Sequence, residues 1–463
     1  MSTVHELIDS QRETYVSELQ EYLRIPSIST LSERNSDTIR AAEWTAAQMR
    51  AAGLQNVTLY PTAKHPVVYG EWLGAPGAPT VLMYGHYDVQ PAERELGWDT
   101  DPFEPVVRDG NIYARGAADD KGQVYVNIAA IRTLMQAHGG KLPVNVKLLI
   151  EGEEEIGSPN LDKFIHDHQE LLKADVVVVS DSSVLALDKP SMVYGLRGLL
   201  YVEIELQGPS KDLHSGQYGG VVHNPAQAIA ELVAKLHNED GSVAVEGFYD
   251  KVRVLTEVDR KAIAETSLDE TTLRERTGVL QSWGEAGFTL SERIGARPTL
   301  EINGIWGGFT GEGAKTVLPA KAAAKISCRL VPNQDPREIE VLLRRQIEKL
   351  TPPTMKLTFK VHSYGDPAIV PIDSNAMSAA IKAYEVGWGG KPLFQLEGGS
   401  IPVVATFNKT YGLPVLLVGY GLPDDGPHGP NEKFALECLY RGLHTSAALL
   451  EELGTRTPES LRE

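Results

Sequence analysis

The sequence is poor in cysteine, with Cys328 and Cys438 as its two thiols, far apart among 463 residues. This count argues against a disulfide framework and against a zinc site built from thiolates. No apolar run approaches the roughly 20 residues that a membrane-spanning helix needs. Residues 1–7 begin an amphipathic helix rather than the apolar core of a signal peptide. We therefore expect a soluble, cytoplasmic protein without a membrane partner.

Positive charge is scarce relative to negative charge. The sequence has 44 Lys and Arg residues and 62 Asp and Glu residues, which gives a net charge of -18. Because phosphate binding needs a concentrated basic surface, we expect no nucleic-acid partner. The remaining composition, 42% hydrophobic and 23% charged residues, is that of an ordinary globular chain. Its length favours two domains over one.

Strands and helices alternate in both outer parts of the chain. Apolar, β-branched runs predict buried strands at 80–85, 144–150 and 174–180, and a helical pattern covers 121–137. This alternation predicts an α/β fold with a mixed, largely parallel sheet flanked by helices.

The pattern changes near Gly195, where half-exposed strands combine with two strong helices. We read this stretch as an inserted α+β domain. The predicted division is a first domain of residues 1–194 and 365–463, interrupted by a second domain of residues 195–364.

An acidic cluster follows the predicted strand 144–150 and contains Glu151, Glu153, Glu154 and Glu155. Such a cluster, taken alone, is more simply a solvated loop. However, the carboxyl ends of strands in open α/β sheets are where ligands bind. Other strands of this chain also end in side chains that bind metals.

His86 and Asp88 follow the strand 80–85. A histidine at a strand end can bind a metal ion while a nearby aspartate holds its ring, although a single histidine is more often structural. Asp119 and Asp120 precede the helix 121–137, and helix capping explains one of them more easily than both. Asp181 follows another predicted strand.

A fifth element is the loop 424–432, which is rich in Gly and Pro and carries His428. Imidazole and carboxylate ligands without thiolate suit Zn²⁺, Mn²⁺ or Co²⁺ in a hydrolytic site. One carboxylate can bridge two ions, and a further carboxylate that binds neither ion can act as the base. The sequence therefore predicts a two-metal hydrolase.

These motifs resemble those of the dinuclear metallopeptidase family of glutamate carboxypeptidase, aminoacylase and carnosinase. The similarity runs from about His5 to Leu453 and rests on the segments 86–88, 115–122, 151–158, 211–216 and 428–432. It looks closest to the carnosinase-like, or cytosolic non-specific, dipeptidases, through the segments 211–216, 313–319 and 397–402.

The resemblance implies two divalent ions per subunit, with zinc first and manganese or cobalt as alternatives. The implied ligands are His86 and Asp181 for one ion, Glu155 and His428 for the other, and Asp119 as the bridge. Glu154 would be the general base and Asp88 would orient His86. The Asp119–Asp120 peptide bond would be cis.

The insertion would be a lid and dimerisation domain of a homodimer. His214 would reach into the partner's site and stabilise the oxyanion, which makes it both catalytic and substrate-binding. Arg329 and Ser400 would hold the C-terminal carboxylate of a small peptide substrate. For Arg329 there is also a direct chemical reason, because a guanidinium binds a carboxylate through two hydrogen bonds.

The expected activity is hydrolysis of dipeptides that have a free C-terminal carboxylate. An alternative with the same metal site is a deacylase of N-acyl amino acids, of the acetylornithine or succinyl-diaminopimelate type. The long segment 239–297 favours the dipeptidase. A non-catalytic dimeric binding protein with the same fold is a third hypothesis.

Two features depart from the expected pattern. The acidic run is one residue longer than the motif needs, so the base and ligand are either Glu153 and Glu154 or Glu154 and Glu155. Leu396 stands before Glu397 where we expect Arg in animal carnosinases, so the substrate preference of those enzymes is not carried over.

Overall fold

The computed structural model describes residues 3–399 and 401–462. The chain forms two compact units. The first comprises the residues up to Tyr194, Val370–Gln395 and the residues from Thr406 onward, and the second comprises Gly195–Ile369 and Leu396–Ala405.

The described residues form helices and strands in the following order along the chain. The helices are α1 (Val4–Ser10), α2 (Arg12–Leu23), α3 (Asn35–Ala51), α4 (Lys121–Ala137), α5 (Leu161–Asp167), α6 (Ser215–Tyr218), α7 (Pro225–Ala234), α8 (Glu257–Glu265), α9 (Glu270–Thr277), α10 (Leu290–Gly295), α11 (Pro336–Leu350), α12 (Asn375–Trp388), α13 (Pro402–Tyr411) and α14 (Leu436–Gly454). The strands are β1 (Gln55–Tyr60), β2 (Val67–Trp72), β3 (Thr80–His86), β4 (Val106–Arg108), β5 (Asn111–Tyr113), β6 (Asn145–Glu151), β7 (Val176–Val179), β8 (Ser191–Leu196), β9 (Gly198–Gln207), β10 (Leu213–His214), β11 (Thr299–Gly307), β12 (Val317–Leu318), β13 (Lys321–Leu330), β14 (Lys356–Gly365), β15 (Ala368–Ile369), β16 (Leu393–Glu397), β17 (Val415–Leu417) and β18 (Lys433–Ala435).

The first unit is built on a sheet in which β1, β2, β6, β3, β7, β17 and β8 are neighbours in that order. The central strands β6, β3, β7 and β17 run parallel to one another, and the strands outside them are antiparallel. Strand β7 is four consecutive valines, all buried, as expected for a central strand covered on both faces. Helix α4 packs against β3 and α14, and α3 packs against β1 and β2. The predicted mixed, largely parallel sheet flanked by helices is confirmed.

The second unit contains the antiparallel sheet β11-β13-β9-β14. One face of this sheet packs on helices α7 and α11. Their shared core contains the alternate residues of β9 and β13, among them Leu200, Val202, Ile326 and Cys328, and apolar side chains such as Leu343 from the helices. This is an α+β arrangement, with a segment of short helices, α8–α10, before β11.

The observed units differ from the predicted division in two segments, a short one at residues 365–369 and a longer one, and both group with the second unit. Leu396–Ala405 groups with the second unit, whereas the sequence analysis assigned it to the first domain. The physical reason lies at Arg197, whose amide and Nε donate hydrogen bonds of 3.1 Å to the carbonyls of Gly399 and Gly398. In addition, Leu396 packs over Gly195, where a Cβ would lie 2.6 Å from its Cδ2.

Among the described residues, no helix is both long enough and apolar enough to cross a bilayer.

Candidate metal centre

The sheet of the first unit brings several polar side chains to one edge. Strand β3 ends at His86, Asp181 follows β7, and His428 lies in the loop after β17. Because β3, β6, β7 and β17 are parallel, their carboxyl ends meet at the same edge. Asp119 reaches this edge from the loop that precedes α4.

Two groups of potential ligands lie at this edge and share one residue. The first is His86, Asp119 and Asp181, and the second is Asp119, Glu155 and His428. Within each group the ligand atoms lie within 4.8 Å of one another. The two carboxylate oxygens of Asp119 point in different directions, with Oδ1 3.1 Å from His86 Nε2 and Oδ2 3.0 Å from His428 Nε2. His428 Nε2 also lies 3.2 Å from Glu155 Oε2.

The geometry thus brings together all five residues predicted as metal ligands. Two imidazoles and three carboxylates, one of them common to both groups, match the chemistry of a site for two divalent ions. Among the described residues, Nε2 of the buried His86 has no hydrogen-bond partner of good geometry, as expected for a nitrogen that ligates a metal. The Asp119–Asp120 peptide bond is cis, as the resemblance implied.

Without ions, the carboxylates hold protons on both imidazoles. For His86, burial lowers the pKa, but the contacts with Asp119 and Asp88 outweigh it and raise the pKa well above its usual value. Hydrogen bonds with Asp119 and Glu155 raise the pKa of His428 to about 10. Because metal ions compete with these protons, their binding should release protons and tighten as the pH rises.

Glu154 lies beside the two ligand groups and belongs to neither. Burial raises its pKa to about 8. The nearby His86 opposes this shift, and the charges of Asp119, Glu155 and Asp88 add to it. A carboxylate whose pKa lies near neutrality is well suited to accept and return a proton. Bound cations would lower this pKa, because positive charge favours the ionised form.

Asp88 contacts both parts of the site. His86 Nδ1 forms a hydrogen bond of 3.1 Å with the Asp88 carbonyl, and Asp88 Oδ1 lies 3.4 Å from the same nitrogen. Its carboxylate also accepts hydrogen bonds from the amides of Glu154 and Glu155, at 3.2 and 3.1 Å. Asp88 therefore fixes the short turn that carries Glu154 and Glu155 as well as the imidazole.

Glu153 has a different environment, and this bears on the register left open by the sequence. Its carboxylate accepts hydrogen bonds from Thr62 Oγ1 at 2.6 Å, from the His65 amide at 2.8 Å and from Asn160 Nδ2 at 2.7 Å. Glu153 is thus held within the fold by neutral donors, whereas Glu155 joins a ligand group. The structure favours the register Glu154 and Glu155.

Glu432 is a buried residue to which the sequence analysis gave no role. Its carboxylate accepts hydrogen bonds from the amides of Gly116, Ala118 and Asp119, at 3.0–3.1 Å, and from Arg115 Nη1 at 2.7 Å. It follows His428 by four residues. Glu432 therefore ties the loop that carries Asp119 to the loop that carries His428.

We expect Glu432→Ala to weaken divalent-metal binding at least tenfold and to destabilise the ion-free protein. Removing one partner of a buried ion pair costs about 3–5 kcal/mol, because the other charge stays buried and unpaired. Calorimetric zinc titration and urea unfolding measure the two effects. Asp424→Ala, at an exposed carboxylate in the same loop, is the control. Unchanged metal affinity in Glu432→Ala would refute this positioning role.

Gln90 is a second residue that the sequence analysis did not identify. Its Nε2 donates to Glu155 Oε2 at 2.7 Å, and its amide donates to Glu155 Oε1 at 3.1 Å. These bonds fix the orientation of the Glu155 carboxylate, as residues behind a metal ligand commonly do. A glutamine four residues after a motif histidine gives no recognisable signal in a single sequence.

Two predicted substrate-binding residues lie in the second unit. His214, at the end of β10, is exposed, and its Nδ1 accepts a hydrogen bond from the Gly216 amide at 2.9 Å. Since Nδ1 is an acceptor, the neutral ring carries its proton on Nε2, which can donate to an anion. Arg329 is half-buried on β13, opposite Thr299 of β11. Ser400 lies outside the described residues.

The fold and this edge of the sheet define a hydrolase of the two-metal peptidase type. The chain belongs to peptidase family M20/M25/M40, whose sequence profile matches residues 82–452. It is 34% identical to the Cys-Gly metallodipeptidase dug1 of Schizosaccharomyces pombe, with 99% of both chains covered. It is 33% identical to the human Beta-Ala-His dipeptidase, over 84% of this chain and 77% of that one.

Solved structures give the same picture. The crystal structure of human carnosine dipeptidase 1 matches with a TM-score of 0.86 at 31% identity, covering 98% of both chains. The dipeptidase Dug1p of Saccharomyces cerevisiae matches with a TM-score of 0.86 at 32% identity and the same coverage. The predicted relationship to carnosinase-like dipeptidases is confirmed, and the protein is a peptidase.

Proposed function

We propose that the protein is a dipeptidase that uses two divalent ions and requires a free C-terminal carboxylate on its substrate. The observation that carries this proposal is the pair of ligand groups that share Asp119, with Glu154 beside them. The relatives named metallodipeptidases support the substrate class.

In this proposal each side chain of the metal centre has a separate role in hydrolysis. The ions would be held by His86 and Asp181, by Glu155 and His428, and by Asp119 between them. Bound divalent ions would make a water more acidic and polarise the peptide carbonyl. Glu154 takes the proton of the attacking water and returns it to the leaving amine. Asp88 keeps His86 and the turn with Glu154 in position.

Recognition of the substrate falls to residues of the second unit. Arg329, with Ser400, would bind the C-terminal carboxylate. His214 of the partner subunit would donate its Nε2 proton to the oxyanion that forms on the peptide carbonyl. The tautomer of His214, fixed by the Gly216 amide, supports this role.

Glu397 favours the dipeptidase over the N-acyl amino acid deacylase. Its Oε2 is buried, without a hydrogen-bond partner among the described residues, and burial raises the pKa of this carboxyl group to about 7. A buried acidic group without a donor suits a cationic ligand. The free ammonium of a dipeptide would donate hydrogen bonds to the Glu397 carboxylate, and an N-acyl group would not.

We therefore expect N-acetylation of a dipeptide to lower kcat/KM at least tenfold. Equal cleavage of the free and the acetylated dipeptide would count against this role of Glu397.

Arg329→Met is expected to lower kcat/KM on free dipeptides by about one to two orders of magnitude, because hydrogen bonds to charged groups contribute about 1.5–3 kcal/mol. C-terminally amidated dipeptides lack the carboxylate, so their slow hydrolysis should hardly change. Steady-state kinetics on matched free and amidated substrates gives the ratio. Arg345→Met, at an exposed position of α11, should leave the ratio as it is. A normal ratio in Arg329→Met would remove this residue from the substrate site.

The finer parts of the proposal are the native metal, the oligomeric state and the location. We propose zinc, with manganese or cobalt as alternatives, since His and carboxylate ligands accept all three. Metal analysis of the protein purified without chelators tests this choice.

We propose a cytoplasmic enzyme, supported by two buried cysteines that are both free thiols. Cell fractionation tests that location.

A homodimer through the second unit is supported by the end strand β11. Its residues Ile305 and Trp306 are 50% and 45% exposed, and exposed apolar edges favour association. Light scattering should give about twice the 50.5 kDa of one chain. A monomer that is fully active would contradict the role given to His214.

A further inference from the structure

The second unit contains a cavity of about 410 Å³. It lies at the β11 and β13 end of the sheet, and strand residues Glu301, Ser327 and Arg329 line it. These residues alternate along the strands with Leu300, Cys328 and Leu330, which face the helices α7 and α11. Glu301, Ser327 and Arg329 therefore lie on the sheet face opposite these helices. Its volume falls in the usual range for small-molecule sites, about 300–1,000 Å³.

The charges around this cavity are unusual for a protein with a net charge of -18. Four guanidinium groups and two carboxylates line it, namely Arg197, Arg293, Arg297, Arg329, Glu285 and Glu301. The cavity therefore has an excess of two positive charges, which favours an anionic ligand.

Both carboxylates are associated with particular arginines. Arg297 binds Glu285 through two hydrogen bonds of 2.8 and 2.6 Å, and its guanidinium stacks on the ring of Phe288 at 4.2 Å. The charge of Glu301 acts on Arg197. Arg197 is also held by the backbone, with Nε donating to the Gly398 carbonyl at 3.1 Å. The side chains of Arg197, Arg297, Glu285 and Glu301 thus already interact with other groups of the protein.

Arg293 is different. Among the described residues no carboxylate pairs with it, and its buried Nε has no hydrogen-bond partner. The neighbouring acidic residue Glu292 is bound by Arg260 at 2.6 Å. A buried guanidinium nitrogen without an acceptor is costly, and a ligand carboxylate would remove that cost.

We propose that this cavity holds the side chain of the substrate's C-terminal residue and that Arg293 selects an acidic side chain there. The inference rests on the proposed function, in which Arg329, on the wall of the same cavity, binds the α-carboxylate. A C-terminal Asp or Glu brings two carboxylates to a cavity that has two excess positive charges. The preferred substrates are then dipeptides that end in an acidic residue.

The test compares dipeptides that differ only in that side chain, Ala-Glu with Ala-Gln and Ala-Asp with Ala-Asn. We expect the metal-loaded enzyme to show at least a tenfold higher kcat/KM for each acidic member. Arg293→Met should bring this ratio to about one. Glu301→Gln should raise it, since it removes a negative charge from the cavity. Arg274→Met, at an exposed position of α9, is the matched control and should keep the wild-type ratio.

If Arg293→Met does not fold, inhibition of the wild-type enzyme by free amino acids tests the same inference. Free glutamate should inhibit Ala-Gln hydrolysis at least tenfold more strongly than free glutamine. Equal inhibition, or a wild-type ratio of one or less, would overturn the inference. If dipeptides are cleaved without any acidic preference, the inference alone fails. If no dipeptide is cleaved, the proposed function fails.

Discussion

Glu154→Gln should lower kcat about a thousandfold, within the range that general acid–base catalysis typically contributes, and should leave the bound metal unchanged. Glutamine has nearly the same shape but cannot accept the proton of the attacking water. Glu154 belongs to neither ligand group, so both should keep their ligands. Steady-state kinetics and metal analysis of the same preparation measure the two quantities.

The matched control is Glu153→Gln, at the adjacent buried carboxylate. Glu153 binds Thr62, His65 and Asn160, so its replacement should reduce stability and leave kcat close to that of the wild type. A thousandfold loss in Glu153→Gln together with normal kcat in Glu154→Gln would reverse the register that the structure favours.

The pH dependence of stability shows whether the Glu154→Gln variant is correctly folded. In the ion-free protein the pKa of Glu154 is raised from 4.5 to about 8. Its ionisation therefore opposes folding, and stability falls as the pH rises from about 4.5 through about 8. Glutamine does not ionise. The unfolding temperature of ion-free Glu154→Gln at pH 9 should thus equal or exceed that of the wild type.

Asp119→Ala should abolish activity and weaken the binding of both ions, because both ligand groups lose the same carboxylate. In the ion-free variant the pKa of His428 should also fall from about 10, since its strongest partner is lost. Metal analysis after dialysis and NMR titration of the histidines measure these changes.

Asp181→Ala provides the comparison for Asp119→Ala, because Asp181 belongs to one ligand group and not to the other. It should lose one ion and keep the other on Asp119, Glu155 and His428. Retention of two ions by Asp119→Ala would contradict the shared-ligand arrangement.

The predicted metal site depended on local patterns, and the structure brings its residues together. His86 ends a buried strand, and Asp181 and the acidic turn each follow one. The apolar run of such a strand can be recognised in a single sequence. The carboxyl ends of parallel strands meet at one edge, so the order of the motifs was enough to place them together.

Other features depend on contacts between distant parts of the chain and could not be predicted. Arg115 and Glu432 are 317 residues apart, and nothing in either local sequence indicates that they bind each other. The same is true of Leu396–Ala405, which joins the second unit through hydrogen bonds to Arg197. The register of the acidic run was open because side-chain direction depends on the short turn Glu154–Ile156.

The most direct test of the dipeptidase assignment is the hydrolysis of three kinds of substrate by metal-depleted protein reloaded with Zn²⁺ or Mn²⁺. The substrates are free dipeptides, the same dipeptides amidated at the C-terminus, and N-acetyl amino acids. We predict cleavage that depends on the added ion, with free dipeptides cleaved rapidly and both other kinds cleaved poorly. Cleavage of N-acetyl amino acids alone would contradict the assignment and identify a deacylase with the same metal centre.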